Sequence, residues 1–250
     1  MICMLPKALT SLQHPIVKHC CQLRSKRKYR GEKREVVVPG LKMVREIAEK
    51  VPCHTLFISQ DISDLPPSDQ LYQITPEMMM KITGLPSPEP MAALFPMPEE
   101  VALNGKRPLL VLDQISDPGN MGTLIRTALA FGFEGTFLLG EATDPYHDRA
   151  IRASKGAVFR LPVAHATHEE FAAFAKAEKL AVIVADTKGS PIEDSKIRVD
   201  ALVLGSESHG PAELLLQQFS TTTIPMSGEM ESLNVAAAGA ILMYTCRKGP

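Results

Sequence analysis

Two short segments constrain this chain more than any other feature: Leu109-Leu-Val-Leu-Asp113 and Ala201-Leu-Val-Leu-Gly205. Each is apolar at four successive positions and ends on a carboxylate or a glycine. A strand with one wet face alternates polar and apolar residues. A strand apolar at every position has both faces covered, as in a parallel sheet between helices. From Arg107 onward, strand-like and helix-like segments alternate. Strands are expected at 108–113, 135–140, 180–186, 201–205 and 221–226, and helices at 118–131, 148–157, 169–179, 211–218 and 233–246. Asp117 ahead of Pro118 and Gly132 after Phe131 bracket the first of these helices as N-cap and terminator. The fold class is therefore α/β with a mainly parallel sheet. In such sheets ligands bind at the carboxyl ends of the strands.

The first hundred residues read differently. Leu9 to Glu49 reads as two polar helical stretches around a basic turn. There Arg24, Lys26, Arg27, Lys28, Arg30, Lys33 and Arg34 are relieved only by Glu32. His54 to Ser59 is strand-like, Thr75 to Ile82 is a short helix capped by Thr75, and Met91 to Phe95 is one more strand. The turn-rich stretch 96–106 reads as a linker between domains at 1–98 and 106–250.

Charge follows the same division. Residues 1–50 carry twelve Lys/Arg against four Asp/Glu, and the remainder carries fifteen against twenty-four, so a formal net charge of −1 hides +8 beside −9. A basic module of this kind suits an anionic partner. Lys18, Arg24, Lys26, Arg27, Lys28 and Arg30 are the candidates for phosphate contact; the bland alternative is a solvated charged face.

The cysteines Cys3, Cys20, Cys21, Cys53 and Cys246 show neither disulfide-scaffold nor metal-ligand spacing, which points to a reducing cytoplasm. The N-terminus lacks the apolar core of a secretory signal. The run Leu233–Thr245 is too short to span a bilayer and contains Asn234. A P-loop, a G-x-G-x-x-G turn, a G-x-S-x-G elbow and a metal cluster are all missing from the sequence.

Three segments, each just after an expected strand, carry the chemistry. The first is Asp113-Gln-Ile-Ser-Asp117-Pro-Gly-Asn120-Met-Gly122-Thr-Leu-Ile-Arg126-Thr-Ala128. Its helix start leaves N–H groups free for an anion, and Asn120 offers both a donor and an acceptor. Gly122, one turn before Arg126, leaves that helix face open to a close partner. The second is Leu202-Val-Leu204-Gly205-Ser-Glu207-Ser-His209-Gly-Pro211, where the break at Gly205 lets a ligand approach the backbone and Glu207 stands at the mouth of the sheet. His209 reads as a bystander. The third is Ile224-Pro-Met226-Ser-Gly-Glu-Met-Glu-Ser232-Leu233-Asn234-Val235, with Ser232 as N-cap and Asn234 in the first turn of a small-residue helix. Each segment also admits a purely structural explanation as a cap or a turn.

Taken together and in order, the three resemble the motifs of the SpoU (TrmH-like) family of the SPOUT methyltransferases: D-x-x-x-D-P-x-N-x-G-x-x-x-R-T-A, L-G-x-E-x-x-G-x and I-P-M-x-G-x-x-x-S-L-N-V. The resemblance spans residues 108–246, and it includes Ala153-Ser-Lys-Gly156-Ala, although Asp148-Arg149 stands where the family has Pro-Lys. The stretch from Leu9-Thr-Ser-Leu-Gln-His-Pro-Ile-Val-Lys18 through Leu23-Arg24 to Val38-Pro-Gly40 is similar to the family's substrate-binding domain, with Pro39-Gly40 for the usual Glu-Gly.

The resemblance implies an α/β domain with a C-terminal trefoil knot, a topology otherwise nearly absent from proteins, and a small α/β N-terminal domain. It implies homodimers that use S-adenosylmethionine, without a metal or a membrane, to methylate a ribose 2′-hydroxyl of rRNA or tRNA. By the same resemblance Leu204, Gly205, Ile224, Met226, Ser232 and Leu233 line the cofactor site, and Asn120, Arg126, Glu207, Ser232 and Asn234 fall on catalytic positions. Arg126 is a poor base, because a guanidinium does not give up its proton in proteins. Binding the neighbouring phosphate and stabilising the developing alkoxide is the easier role, with Glu207 fixing its guanidinium in a bidentate pair and Asn120 and Ser232 orienting the ribose. Asn120 and Arg126 lie six residues apart, about 240° of accumulated turn, so a site shared between protomers is expected. The competing expectations are a non-catalytic RNA-binding or ribosome-assembly factor of the same fold and a nucleotide-dependent metabolic enzyme. The paired Arg126 and Asn120 argue against the first, and the basic N-terminus without a phosphate loop argues against the second.

Overall fold

The computed structural model describes residues 5–192 and 199–246, which leaves Cys3 outside them. Residues up to 98 form one compact unit together with Tyr146–Arg152, and the rest form a second.

In the first unit β1 (Lys7–Ala8), α1 (Pro15–Ser25), α2 (Arg27–Lys33), β2 (Glu35–Pro39), α3 (Leu41–Ala48), β3 (Cys53–Ile58), β4 (Ser68–Gln73), α4 (Pro76–Thr83) and β5 (Met91–Pro96) follow in turn. The sheet order is β1-β4-β3-β5-β2. Strands β1, β4 and β3 run parallel, and β5 is antiparallel to β3 and β2. Its core joins Val17, Cys20 and Leu23 of α1 to Phe57, Leu94 and the α4 residues Met78, Met79 and Ile82. Thr75 caps α4 by accepting from the Met78 N–H at 3.2 Å.

Strand β2 lies inside the stretch expected to be helical. Arg34 adopts φ 54, a left-handed conformation that ends α2, and the chain then enters Val36-Val-Val38, all buried. Three β-branched residues lose side-chain freedom in a helix and pack well on a pleated sheet. With no alternation, their period was masked by the basic run before them.

The chain continues with β6 (Leu109–Asp113), α5 (Pro118–Ala130), β7 (Gly135–Leu139), α6 (Asp148–Ser154), a 3-10 turn (Ala157–Phe159), β8 (Val163–Ala166), α7 (His168–Ala177), β9 (Val182–Pro191), β10 (Ala201–Leu204), α8 (Glu213–Gln218), β11 (Ser220–Thr223) and α9 (Val235–Cys246). Six strands in the order β11-β9-β10-β6-β7-β8 are parallel throughout. Strands β6 and β10 sit side by side near the centre and every residue of both is buried, which is what their unbroken apolar runs require. Asp117 caps α5 by accepting from the Asn120 N–H at 2.9 Å. A reciprocal Thr167–Glu170 capping box starts α7. Among the described residues no helix is long and apolar enough to cross a membrane.

One irregularity shapes the ligand end of this sheet. Along β9 and β11 the pairing steps from Val184↔Thr221 directly to Ser190↔Thr222, so residues 185–189 have no partner in β11 and swing out of the ladder. The step is held closely: a Cβ on Gly189 would lie 2.6 Å from the Thr222 backbone, and the Thr222 hydroxyl donates to the Ser190 carbonyl at 3.0 Å.

Candidate active site

A cavity of about 530 Å³ opens at the carboxyl ends of β9, β10 and β11. This volume lies within the usual range for small-molecule sites, roughly 300–1,000 Å³. The swung-out stretch Ala185-Asp-Thr-Lys188 forms one wall, and the chain after β10 and the approach to α9 form the others. Leu204, Val235, Ala238 and Leu242 supply apolar lining. The structure brings Leu204, Gly205, Ile224, Met226, Ser232 and Leu233 to this single cavity. The wall from residues 185–188 was not expected, because a parallel strand was expected to end at 186. Its signal was the polar run Asp186-Thr-Lys-Gly189 straight after an apolar strand. His209, taken as a bystander, lines the same cavity.

Gly205 requires a correction. The space beside its Cα is filled by the chain itself. A Cβ there would stand 2.2 Å from the Pro211 nitrogen and 2.5 Å from the Gly210 carbonyl carbon. The glycine admits this returning backbone rather than leaving room for a ligand. The loop is tied by the Gly210 N–H to the Ser206 carbonyl at 2.8 Å.

At the cavity wall, Glu207 Oε1 accepts from the side-chain amides of both Asn120 and Asn234, the latter at 3.1 Å. Asn234 Nδ2 also lies 3.3 Å from Asn120 Oδ1. The starts of α5 and α9 and the turn after β10 thus converge on one cluster. Asn234, not Ser232, caps α9. Its Oδ1 accepts from the N–H groups of Ala236 at 3.0 Å and Ala237 at 3.3 Å, so it stands before the first turn rather than within it. The amide wins this position because the same side chain can cap with its oxygen and reach Glu207 with its nitrogen. Ser232 remains on the cavity lining, exposed.

Arg126 is not part of this cluster. It is exposed and makes no hydrogen bond or ion pair among the described residues. The expected Glu207–Arg126 pair is not formed among the described residues; Glu207 Oε1 takes the two asparagine amides instead. Gly122 is buried within its own chain, so it opens no face to a second one. At about 100° per residue, the helix that aims Asn120 at Glu207 aims Arg126 elsewhere.

Comparison with known proteins decides what this arrangement belongs to. Residues 107–244 match the SpoU rRNA Methylase family, and residues 14–93 match the MRM3-like substrate binding domain. The chain belongs to the SpoU rRNA methylase family. This SpoU methylase is 34% identical over 188 residues to the Bacillus subtilis 23S rRNA (guanosine(2553)-2′-O)-methyltransferase RlmP, covering 74% of this chain and 75% of that protein. It is 34% identical over 142 residues to the 23S rRNA (adenosine(1067)-2′-O)-methyltransferase of Streptomyces azureus, covering 54% and 52%. The crystal structure of the AdoMet-bound rRNA methyltransferase from Sinorhizobium meliloti superposes with a TM-score of 0.86 at 30% identity, covering 96% of this chain and 97% of that one.

The basic residues of this SpoU methylase divide by environment. Lys18, Lys26, Arg27 and Lys28 are exposed. Arg30 is only 3% exposed and its guanidinium donates to the Leu23 and Arg24 carbonyls, so it caps the end of α1 and is withdrawn from the phosphate-contact set. Arg24 is half-buried and its guanidinium packs on Gly84, where any Cβ would collide with it. Asp148, at the departure from the family's Pro-Lys, pairs with His147 at 3.0 Å and Arg152 at 2.8 Å. Burial works against its charge, but the Arg152 pair prevails and holds the carboxyl below the ordinary value. Among the described residues no group of three or more His, Cys, Asp or Glu is placed to hold a metal.

Proposed function

We propose that this chain works in the cytoplasm as a homodimer that methylates a ribose 2′-hydroxyl of ribosomal RNA, with the N-terminal unit, residues 1–98, holding the RNA. The chain is an S-adenosylmethionine-dependent RNA 2′-O-methyltransferase. The observation that carries the reading is the Asn120–Glu207–Asn234 cluster standing on the wall of a cofactor-sized cavity. The donor set fits the cofactor: apolar Leu204, Val235, Ala238 and Leu242 suit an adenine ring, while backbone at 205, 224 and 233 suits polar edges. When bound, S-adenosylmethionine supplies an electrophilic methyl group on a sulfonium.

The chain's own residues do the rest. Asn120, aimed by Glu207 and Asn234, orients the ribose. Arg126, exposed and without a partner among the described residues, binds the phosphate beside the target and stabilises the oxygen as its proton passes to solvent water. Because α5 turns Arg126 away from Asn120, the guanidinium serves the partner subunit's site. Exposed Ile241 and Tyr244 on α9, with Tyr244 5.8 Å from Phe131 after α5, give that dimer an apolar face. The trefoil knot belongs to this reading too: β11 pairs with β9, and α9 then returns to pack on α5, a path a threaded chain needs.

The test is to incubate the full chain with S-adenosylmethionine carrying a labelled methyl group and total cellular RNA. Label should enter ribosomal RNA at one nucleotide, and the following phosphodiester should resist alkali, because a methylated 2′-oxygen cannot attack it. Label confined to tRNA would refute the ribosomal target, and label in an alkali-sensitive nucleotide would refute ribose methylation.

A further inference from the structure

The mechanism leaves the buried carboxyl of Asp113 unused. Asp113 ends the central strand β6 with its side chain fully buried. Its Oδ2 accepts from the Ala212 N–H at 2.7 Å, and its Oδ1 meets His168 Nε2 at 2.8 Å and the Gln114 amide at 3.4 Å. A buried carboxylate is a costly way to hold a fold together, and apolar replacements of buried ion pairs are often neutral or stabilising. The explanation for Asp113 therefore lies in what its polar side chain does here, which is to take the Ala212 N–H on one oxygen while His168 holds the other.

Ala212 is the residue through which the loop after β10 leaves the site and enters α8. The two residues before it, Gly210 and Pro211, are those pressed against Gly205. The loop they close carries Ser206, Glu207 and His209 to the cavity wall. Next to Asp113 the backbone is itself held in an uncommon form: Gln114 has φ 54, and its side chain fills the space a Cβ on Gly140 would need. Non-glycine residues in that region persist where the surroundings over-determine them.

We infer that Asp113 and His168 are a positioning pair for cofactor binding: Asp113 pins the exit of the loop 205–212, and His168, at the start of α7, holds the carboxylate in the orientation that does so. This rests on the assignment of the cavity to S-adenosylmethionine. Neither residue touches the reacting atoms.

The experiment uses the full chain as wild type, Asp113→Ala, Asp113→Asn and His168→Ala. Calorimetry gives the Kd for S-adenosylmethionine, steady-state kinetics give KM for cofactor and RNA, and melting without ligand gives stability. Asp113→Ala leaves the Ala212 N–H unpaired, and a buried unpaired donor is worth on the order of a tenfold or larger change, so its cofactor Kd and KM should rise by that factor with the RNA KM unchanged. Asp113→Asn keeps an oxygen for Ala212 and should restore binding to within a few-fold. His168→Ala, at a partly exposed position, should raise the cofactor Kd several-fold even if Asp113→Ala fails to fold. A His168→Ala protein that binds cofactor as wild type does would overturn the pair, as would a folded Asp113→Ala protein that melts lower yet binds unchanged. Wild type that fails to bind S-adenosylmethionine would overturn the cavity assignment and this inference together. Wild-type binding with unaffected variants would overturn this inference alone.

Discussion

Gly205→Ala separates two explanations of one glycine. The added methyl would stand 2.2 Å from the Pro211 nitrogen, and ordinary contact begins near 3.4 Å, so the Gly210–Pro211 backbone must withdraw by more than an ångström. Backbone cannot move aside as a side-chain tip can. The Ala212 N–H follows it, and its 2.7 Å bond to buried Asp113 stretches past a hydrogen-bond distance. Overpacking costs about 1–3 kcal/mol, and a buried polar pair left open costs about 1–3 kcal/mol more. The variant should therefore lose about 2–6 kcal/mol. For a chain of this size that lowers the melting temperature by roughly 4–24 °C, measured without cofactor by circular dichroism. If the glycine served only to admit a ligand, the protein would melt as wild type does and lose S-adenosylmethionine affinity alone. An unchanged melting temperature refutes the packing argument.

Arg126→Ala should leave the melting temperature and cofactor affinity as they are, because an exposed side chain without partners among the described residues is worth less than about 0.5 kcal/mol, yet methylation should collapse. Mixed with Glu207→Ala chains, which are inactive alone, it should recover up to about half of wild-type activity per dimer; no recovery after verified subunit exchange would place Arg126 in its own chain's site. Replacing Lys26, Arg27 and Lys28 by alanine should flatten the slope of log K for RNA against log salt by about two, at roughly 0.7 per phosphate on single strands. Arg30→Ala should keep the slope and lose about 1–3 kcal/mol of stability instead, as read by denaturant titration. Glu35 accepts from His19 at 2.8 Å and His54 at 2.9 Å, and the His19 bond above all holds its carboxyl below the ordinary value of 4.5. A depressed folded value means stability that is fully present above pH 4.5 and lost as pH falls through the folded value. Glu35→Gln should melt below wild type at pH 7, with the gap closing under pH 4.5; a gap that persists there would contradict this.

Much of the methyltransferase unit is written in local patterns. The apolar runs at 109–112 and 201–204 announce two buried parallel strands, and Asp117 followed by Pro118 announces α5, because burial on both faces and capping are properties of a few neighbouring residues. What stayed hidden depends on residues far apart in the chain. Which residue caps α9 turns on Asn234 having Glu207 within reach. The use of Gly205 turns on where Gly210 and Pro211 return. Arg30 reads as one more cation of a basic run until α1 ends beside it and offers two carbonyls. The step in register that swings residues 185–189 out of the sheet arises from pairing between β9 and β11, and no periodicity within β9 encodes it.

The hydrogen bonds of the cluster span 87 positions between Asn120 and Glu207 and 114 between Asn120 and Asn234. Contacts that distant close large loops before they return any stabilisation, so they form late when a chain folds. Neighbouring strands such as β6 and β7 can pair early, but β10 must find its place beside β6 from some ninety residues away. During refolding, helical signal should therefore return before methyl transfer does. The interval between the two is a clock for the assembly of the site, and S-adenosylmethionine, which has nothing to bind until that interval ends, should slow unfolding without hastening folding.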